Sequence, residues 1–205
     1  MTIELEQVAK RYRMEWIFRG LSFSFSPEHR YAITGHNGSG KSTLLRLLSG
    51  HLSPTKGRVR FSRQGKPLEA DGLYRYVSYA APYIELVEEY TMREILGFQQ
   101  RFKPFAFGLT TPAIIERLNL PKAADKEVRY FSSGMKQRLK LALAICADTP
   151  LLLLDEPTTN LDAEGAQWYR DLLADFGKDR LLVIASNVEA DLADCDRSLH
   201  VPDYK

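Results

Sequence analysis

The sequence predicts an α/β fold: a core of mostly parallel sheet, joined by an antiparallel β subdomain and a small helical subdomain. Three observations predict it. Tyr31-Ala32-Ile33 leads into Gly35-His36-Asn37-Gly38-Ser39-Gly40-Lys41-Ser42-Thr43 and then into the amphipathic Leu44-Leu45-Arg46-Leu47-Leu48-Ser49, which stops at Gly50; this reads as strand, glycine-rich turn and helix. Leu151-Leu152-Leu153-Leu154 and Leu181-Leu182-Val183-Ile184-Ala185 are continuous apolar runs, as expected of parallel strands buried on both faces. Residues 2–8 and 21–26 alternate apolar with polar, the pattern of half-buried antiparallel strands.

At 205 residues the chain is long enough for one substantial core with a smaller subdomain, so a single domain is expected over 1–205. Lys and Arg number 28 against 26 Asp and Glu, a net charge of +2 without long single-sign blocks, which does not favour nucleic acid as a partner. The two cysteines, Cys146 and Cys195, lie far apart in a chain without a signal peptide and read as small apolar residues in a reducing compartment. No apolar run approaches the ~18 residues of a membrane helix.

Taken in order, the first two strands flank a connection, Lys10-Arg11-Tyr12-Arg13 and Trp16, rich in aromatic and basic groups. The glycine-rich turn that follows has the phosphate-loop spacing: a glycine, four residues, then Gly40-Lys41-Ser42, in the strand-to-helix context that spacing requires. Glycines at 35, 38 and 40 let successive N–H groups converge on an anion at the positive end of a helix, with His36, Asn37 and Ser39 filling the loop. Lys41 is then expected at the β- and γ-phosphates, Ser42 at Mg²⁺, and Thr43 at a further phosphate oxygen. With a nucleotide in place, Tyr12 suits either a core position or a platform for a stacked adenine.

Beyond Gly50, His51-Leu52-Ser53-Pro54-Thr55-Lys56-Gly57 is turn chemistry and Arg58-Val59-Arg60-Phe61 a further edge strand. Gln64-Gly65-Lys66-Pro67 is expected to turn. Residues 74–80 read as a buried strand ended by Ala81-Pro82. Met92, Ile95, Leu96, Gln99 and Phe102 mark one face of a helix that Pro104 ends, and residues 112–118 a second. Phe131-Ser132-Ser133-Gly134 opens a third helix with apolar positions Met135, Leu139, Ala142, Leu143 and Cys146; Ser132 or Ser133 caps it, placing hydroxyl and N–H donors at a second anion-binding surface. The run 151–154 ends in Asp155-Glu156-Pro157, and the last buried strand in Ser186-Asn187. Ligands of open α/β sheets gather at those carboxyl ends. Asp155 is therefore the expected Mg²⁺ partner and Glu156 the residue that polarises an attacking water.

Tyr12, the phosphate loop, the 132–138 helix start, Asp155-Glu156 and Thr158-Thr159-Asn160-Leu161-Asp162, in that order, resemble the nucleotide-binding subunit of an ATP-binding cassette (ABC) transporter over nearly the whole chain. The resemblance implies the ABC ATPase fold on a P-loop NTPase core, with ATP and Mg²⁺ as cofactors. It implies a head-to-tail dimer, with itself or a related cassette, that sandwiches nucleotide, and an integral membrane subunit that keeps the chain on the cytoplasmic face. By position Tyr12 is similar to the adenine-stacking aromatic, Ser132 and Gly134 to the signature contacts on the partner's γ-phosphate, and Asp162 to the loop joining the two sites. The general base falls on Glu156.

Three positions depart from the family pattern. The signature reads Phe131-Ser132-Ser133-Gly134-Met135, the loop after residue 80 offers Pro82 where a metal-side glutamine is expected, and Asn187 stands where a γ-phosphate histidine is expected. Slow hydrolysis is the expected consequence, with the four residues Ser132-Ser133-Gly134-Met135 leaning toward exporter-type systems. Two alternatives stand beside the transporter reading. One is a cytosolic cassette ATPase, whose relatives carry tandem cassettes or a coiled-coil insertion. The other is a regulatory module that binds ATP and hardly cleaves it.

Overall fold

The computed structural model describes residues 1–205, the side chain of Ala70 excepted. An antiparallel sheet comes first: β1 (Thr2–Tyr12) and β2 (Glu15–Phe25) form a long hairpin. The parallel core then begins with β3 (Arg30–Thr34) and α1 (Lys41–Leu48). β4 (Lys56–Arg63) and the two-residue β5 (Lys66–Pro67) complete the antiparallel sheet in the order β2-β1-β4-β5. β6 (Val77–Ala80) returns to the core, and α2 (Met92–Phe102), α3 (Thr111–Arg117) and α4 (Ser133–Ile145) precede β7 (Leu151–Asp155). α5 (Ala163–Phe176), β8 (Leu181–Ala185), α6 (Glu189–Leu192) and β9 (Arg197–His200) follow. The second sheet runs β6-β7-β8-β3-β9, every pairing parallel.

Why β7 and β8 are apolar throughout is visible in the packing. Leu151 and Leu153 face one core, built with α1 and the antiparallel sheet, while Leu152 and Leu154 face a second core built from α2 to α5. Leu181 and Val183 repeat the first orientation, Leu182 and Ile184 the second. A strand with two dry faces has no polar position to spare, and each such side chain contributes on the order of 1.5–3 kcal/mol by burial. Only the strand ends carry polar groups, so the chemistry collects there.

Local expectations held in type more than in extent. The stretch around Tyr12 is not a separate connection: β1 continues through Tyr12, and the hairpin turns over Arg13 and Met14, with Tyr12 paired to Glu15. β4 is longer than 58–61 and is not the edge, because Lys66 and Pro67 pair with it after a turn at Gln64 and Gly65. Residues 74–76 belong to a 3₁₀ segment, Ala70–Tyr76, rather than to the strand; Tyr74 is exposed, and only the four residues of β6 have parallel partners. Phe102 does not share the buried face of Met92, Ile95 and Leu96 and is exposed. Sequence periodicity marked the phase of that helix correctly, but the last turn runs past the core it would need to cover. Among the described residues no helix is long and apolar enough to cross a membrane.

Candidate functional site

The turn between β3 and α1 is built from backbone that few residues tolerate. Gly35 sits at φ 141° and Gly40 at φ 111°, and a Cβ at Gly40 would lie 2.5 Å from Ile17 Cγ2, so β2 packs directly under the loop. Gly40 caps α1 without a side-chain acceptor, and Leu44 N–H is bonded to Gly40 O at 2.9 Å. The N–H groups of Lys41, Ser42 and Thr43 are thus first-turn donors at the positive end of the helix, free for an anion. His36 and Asn37 are exposed at the rim, Gly38 with them, and Ser39 is buried with an unpartnered hydroxyl.

Lys41, only 6% exposed, gathers three elements. Its Nζ donates to Gly35 O (2.9 Å) and to Asn187 Oδ1 beyond β8 (3.0 Å), and pairs with Glu156 Oε1 beyond β7 (3.5 Å). Asn187 Nδ2 in turn donates to Asn37 Oδ1 in the loop at 2.6 Å. Glu156 is held at φ 45°, a left-handed backbone costing on the order of 1–3 kcal/mol for such a residue. Its N–H donates to Ala185 O (2.7 Å), and Ser186 Oγ donates to its Oε2 (3.2 Å). Ser186 and Thr158 also donate to Asp191 Oδ2, at 2.6 and 3.1 Å. Burial pushes the Asp191 carboxyl above the usual carboxylate range.

Asp155, the last residue of β7, is 1% exposed. Burial raises its pKa; the nearby Ser42 hydroxyl and the hydrogen bond from Tyr83 oppose that rise without cancelling it. Its Oδ1 has no hydrogen-bond partner and neither does Ser39 Oγ, and orphaned buried oxygens of this kind are what a missing ligand would satisfy. One buried carboxylate beside the Ser42 hydroxyl in the first turn of α1 and a phosphate cradle fits Mg²⁺, which keeps waters and takes one or two carboxylates together with substrate phosphates. Among the described residues there is no cluster of three or more His, Cys, Asp or Glu that would hold a metal by protein alone.

The remaining predicted residues lie elsewhere. Ser132 caps α4 by accepting from Met135 N–H (3.2 Å) and is exposed. With Gly134 it lines an open cleft shared with Asn160, Leu161 and Asp162, and no phosphate-loop residue lines that cleft. Gly134 packs closely there: a Cβ would meet Asn160 O at 3.1 Å, so any side chain would have to push that carbonyl back. Asp162 caps α5 through Gly165 N–H at 2.8 Å. The buried Gln137 of α4 donates to Pro157 O at 2.8 Å, tying this helix to the segment after Glu156. Tyr12 is 42% exposed, with Lys10 Nζ 5.2 Å from its ring centroid, which removes the core reading and leaves a surface aromatic.

Sequence reasoning missed two groups. Tyr79 and Tyr83 bring hydroxyls to Asp155, although a strand ending at the ligand edge with a tyrosine on either side of Ala80-Ala81-Pro82 was a usable signal. The brace of Ser186, Thr158 and Asp191 on Glu156 had no local pattern to announce it.

With this geometry in view, comparison with known proteins is decisive. The family model for ABC transporters matches residues 18–159. The chain belongs to the ABC transporter family. Among curated ABC relatives, Nod factor export ATP-binding protein I of Burkholderia pseudomallei (strain 1710b) is 36% identical over 200 residues, covering 92% of this chain and 64% of the relative. The protein of the same name from Bradyrhizobium diazoefficiens is 36% identical over 204 residues, covering 96% and 66%. The chain thus spans just under two thirds of the length of the curated relatives it matches. Solved ABC structures confirm the fold. An ATP-binding subunit of an ABC transporter superposes with TM-score 0.82 at 24% identity, over 98% of this chain and 85% of the other. A dimeric ATP-binding cassette in a post-hydrolysis state, bound to ADP and Pi, gives 0.81 at 21% identity, over 97% and 93%.

Proposed function

We propose that this chain is the ATP-binding and ATP-hydrolysing subunit of a transporter whose membrane-spanning part is a separate integral membrane protein. One observation carries the reading: Lys41 at the head of the phosphate-loop helix meets Glu156 and Asn187 at the ends of two neighbouring strands, with Asp155 beside them. In this reading the cassette is one domain over 1–205, with its helical subdomain at about 83–148. The loop from Gly35 to Thr43 wraps the phosphates, Lys41 leaves its three protein partners for the β/γ oxygens, and Tyr12 stacks the adenine. Ser42 and Asp155 would hold Mg²⁺, which when bound neutralises charge on the phosphates. Glu156, braced by Ser186, accepts a proton from the attacking water. Asn187 gives the γ-phosphate a neutral N–H donor in place of a titratable ring, which supports slow basal turnover.

Each nucleotide is completed by Ser132 and Gly134 of a second cassette, a copy of this chain or a related one, in head-to-tail contact. The membrane subunit docks on the segment after β6, where Tyr83, Tyr90, Phe98, Phe102 and Phe107 are exposed. Phe105, by contrast, is 3% exposed and belongs to the core. Docking there holds the chain at the cytoplasmic face, and the names of the curated relatives support export as the direction. The test is co-purification with a co-expressed polytopic membrane subunit, followed by cysteine cross-linking from positions 98 and 102. Cross-links from the opposite face, and none from here, would refute the docking surface; no ATP-dependent melting shift in the isolated chain would refute the nucleotide site.

A further inference from the structure

The carboxylate at the end of β7 is held on one side only. Tyr83 Oη donates to Asp155 Oδ2 at 3.1 Å and Tyr79 Oη lies 3.4 Å from the same oxygen, and the two hydroxyls also meet each other. They arrive from different places: Tyr79 from within β6, Tyr83 from the segment that leaves it toward α2. Both converge on Oδ2. Oδ1, fully buried, accepts no hydrogen bond. A buried carboxylate oxygen without a donor is unfavourable, and the fold leaves this one bare while supplying two donors to its neighbour. The tyrosine pair thereby sorts the two oxygens, one anchored and one vacant. A carboxylate pinned in this way offers a single oxygen in a fixed direction, which suits a small octahedral cation better than a freely rotating group. Arg46 stacks over the Tyr83 ring at 4.3 Å from its centroid, so the ring is braced by α1, the helix that also carries Ser42.

We propose that Tyr83, backed by Tyr79, is a positioning residue for the divalent cation that accompanies the nucleotide: its hydroxyl ties down Asp155 Oδ2 and leaves Oδ1 for the cation. The proposal rests on the reading of Ser42 and Asp155 as the metal site. It gives the segment after β6 a metal-side role through a phenol, although Pro82 has no donor to offer. It also makes that role separable from phosphate binding, because neither tyrosine touches the loop's Lys41 network.

The test uses Mn²⁺ as the probe in the presence of ADP, with free Mn²⁺ followed by electron paramagnetic resonance. Tyr83→Phe keeps the ring under Arg46 and removes only the hydroxyl. It is expected to weaken Mn²⁺ binding by about 10–100-fold, as loss of a carboxylate's outer partner does, with Tyr79→Phe giving a smaller loss. ADP affinity in EDTA and the melting midpoint of the metal-free protein should stay at wild-type values. Unchanged Mn²⁺ affinity in Tyr83→Phe overturns the proposal, and so does an equal drop in metal-free ADP affinity, which would make the hydroxyl a structural brace. If wild type itself shows no ADP-dependent Mn²⁺ binding, the metal site fails along with it, which separates the two failures.

Discussion

At the carboxyl ends of β3, β7 and β8 the side chains interlock: Lys41 contacts Gly35, Glu156 and Asn187, and Asn187 reaches back to Asn37. At the start of α4 the situation is reversed. Ser132 is exposed, its oxygen occupied only by the cap of its own helix, and the cleft it lines with Gly134 and Asp162 opens outward. The first region, the proposed phosphate site, is one whose groups hold one another in position without a ligand. The second is a surface of small polar residues and N–H donors with nothing in this chain to receive it. On the proposed reading one chain carries a pre-organised half of a nucleotide site and an unpaired half of another, and the two should respond differently to substitution.

The largest effect is expected in the interlocked half. Lys41→Ala removes the cation that meets the β/γ oxygens and should abolish most of the ATP-induced melting shift, a loss of about 2.7 kcal/mol at ligand a hundredfold above Kd. An unchanged shift would break the comparison at its first term. Next, Glu156→Gln keeps size and binding but removes the proton acceptor; turnover should fall by on the order of 10²-fold or more while an ATP-bound dimer accumulates in size exclusion. Wild-type turnover in that variant would send the search for the base elsewhere.

How far the sequence led can be judged from these same residues. Gly35 to Thr43, Asp155 and Glu156 were legible because each rests on local pattern: glycine spacing at a strand-to-helix turn, and carboxylates ending a run with two dry faces. Strand extents were less legible. The alternation in β1 is broken by register shifts after Leu5 and Val8, so the last residues of that strand read as a loop. What no local pattern could carry is contact between distant segments: Ser186 bracing Glu156 across 30 residues, or Tyr83 on Asp155 across 72. Asn187 was placed at the ligand edge by the end of the last buried strand, its γ-phosphate role came from the family resemblance, and in the structure it accepts from Lys41.

Smaller effects sharpen the comparison. Asn187→His restores a ring able to carry charge and should raise basal ATP turnover several-fold, less than the roughly 10²–10³-fold attached to losing a preorganised donor outright. No gain from Asn187→His, with Asn187→Ala as fast as wild type, would remove this residue from the chemistry. Smallest of all is the behaviour of the thiols, which belong to neither half. Burial pushes Cys146 up to about 12 and Cys195 up to about 11, against an ordinary thiol near 8.5. Because the raised pKa favours the neutral thiol in the fold, that preference is intact below pH 8.5 and fades only as pH climbs through 11 and 12. At pH 8 both should stay unreactive toward an aromatic disulfide reagent until the chain unfolds; rapid labelling of native protein would contradict it.

The claim that the two halves belong to different copies has a direct measurement. In a Glu156→Gln background, which retains ATP, one preparation carries Lys41→Ala and a second carries Ser132→Arg; labelled ATP retained on the dimer after gel filtration is then measured for each alone and for the mixture. Neither preparation alone has an intact site. A head-to-tail pair of the two brings the unaltered loop of one copy to the unaltered Ser132 of the other, so the mixture should retain ATP at up to one site per mixed dimer. A mixture as empty as its components would contradict a site shared between copies of this chain.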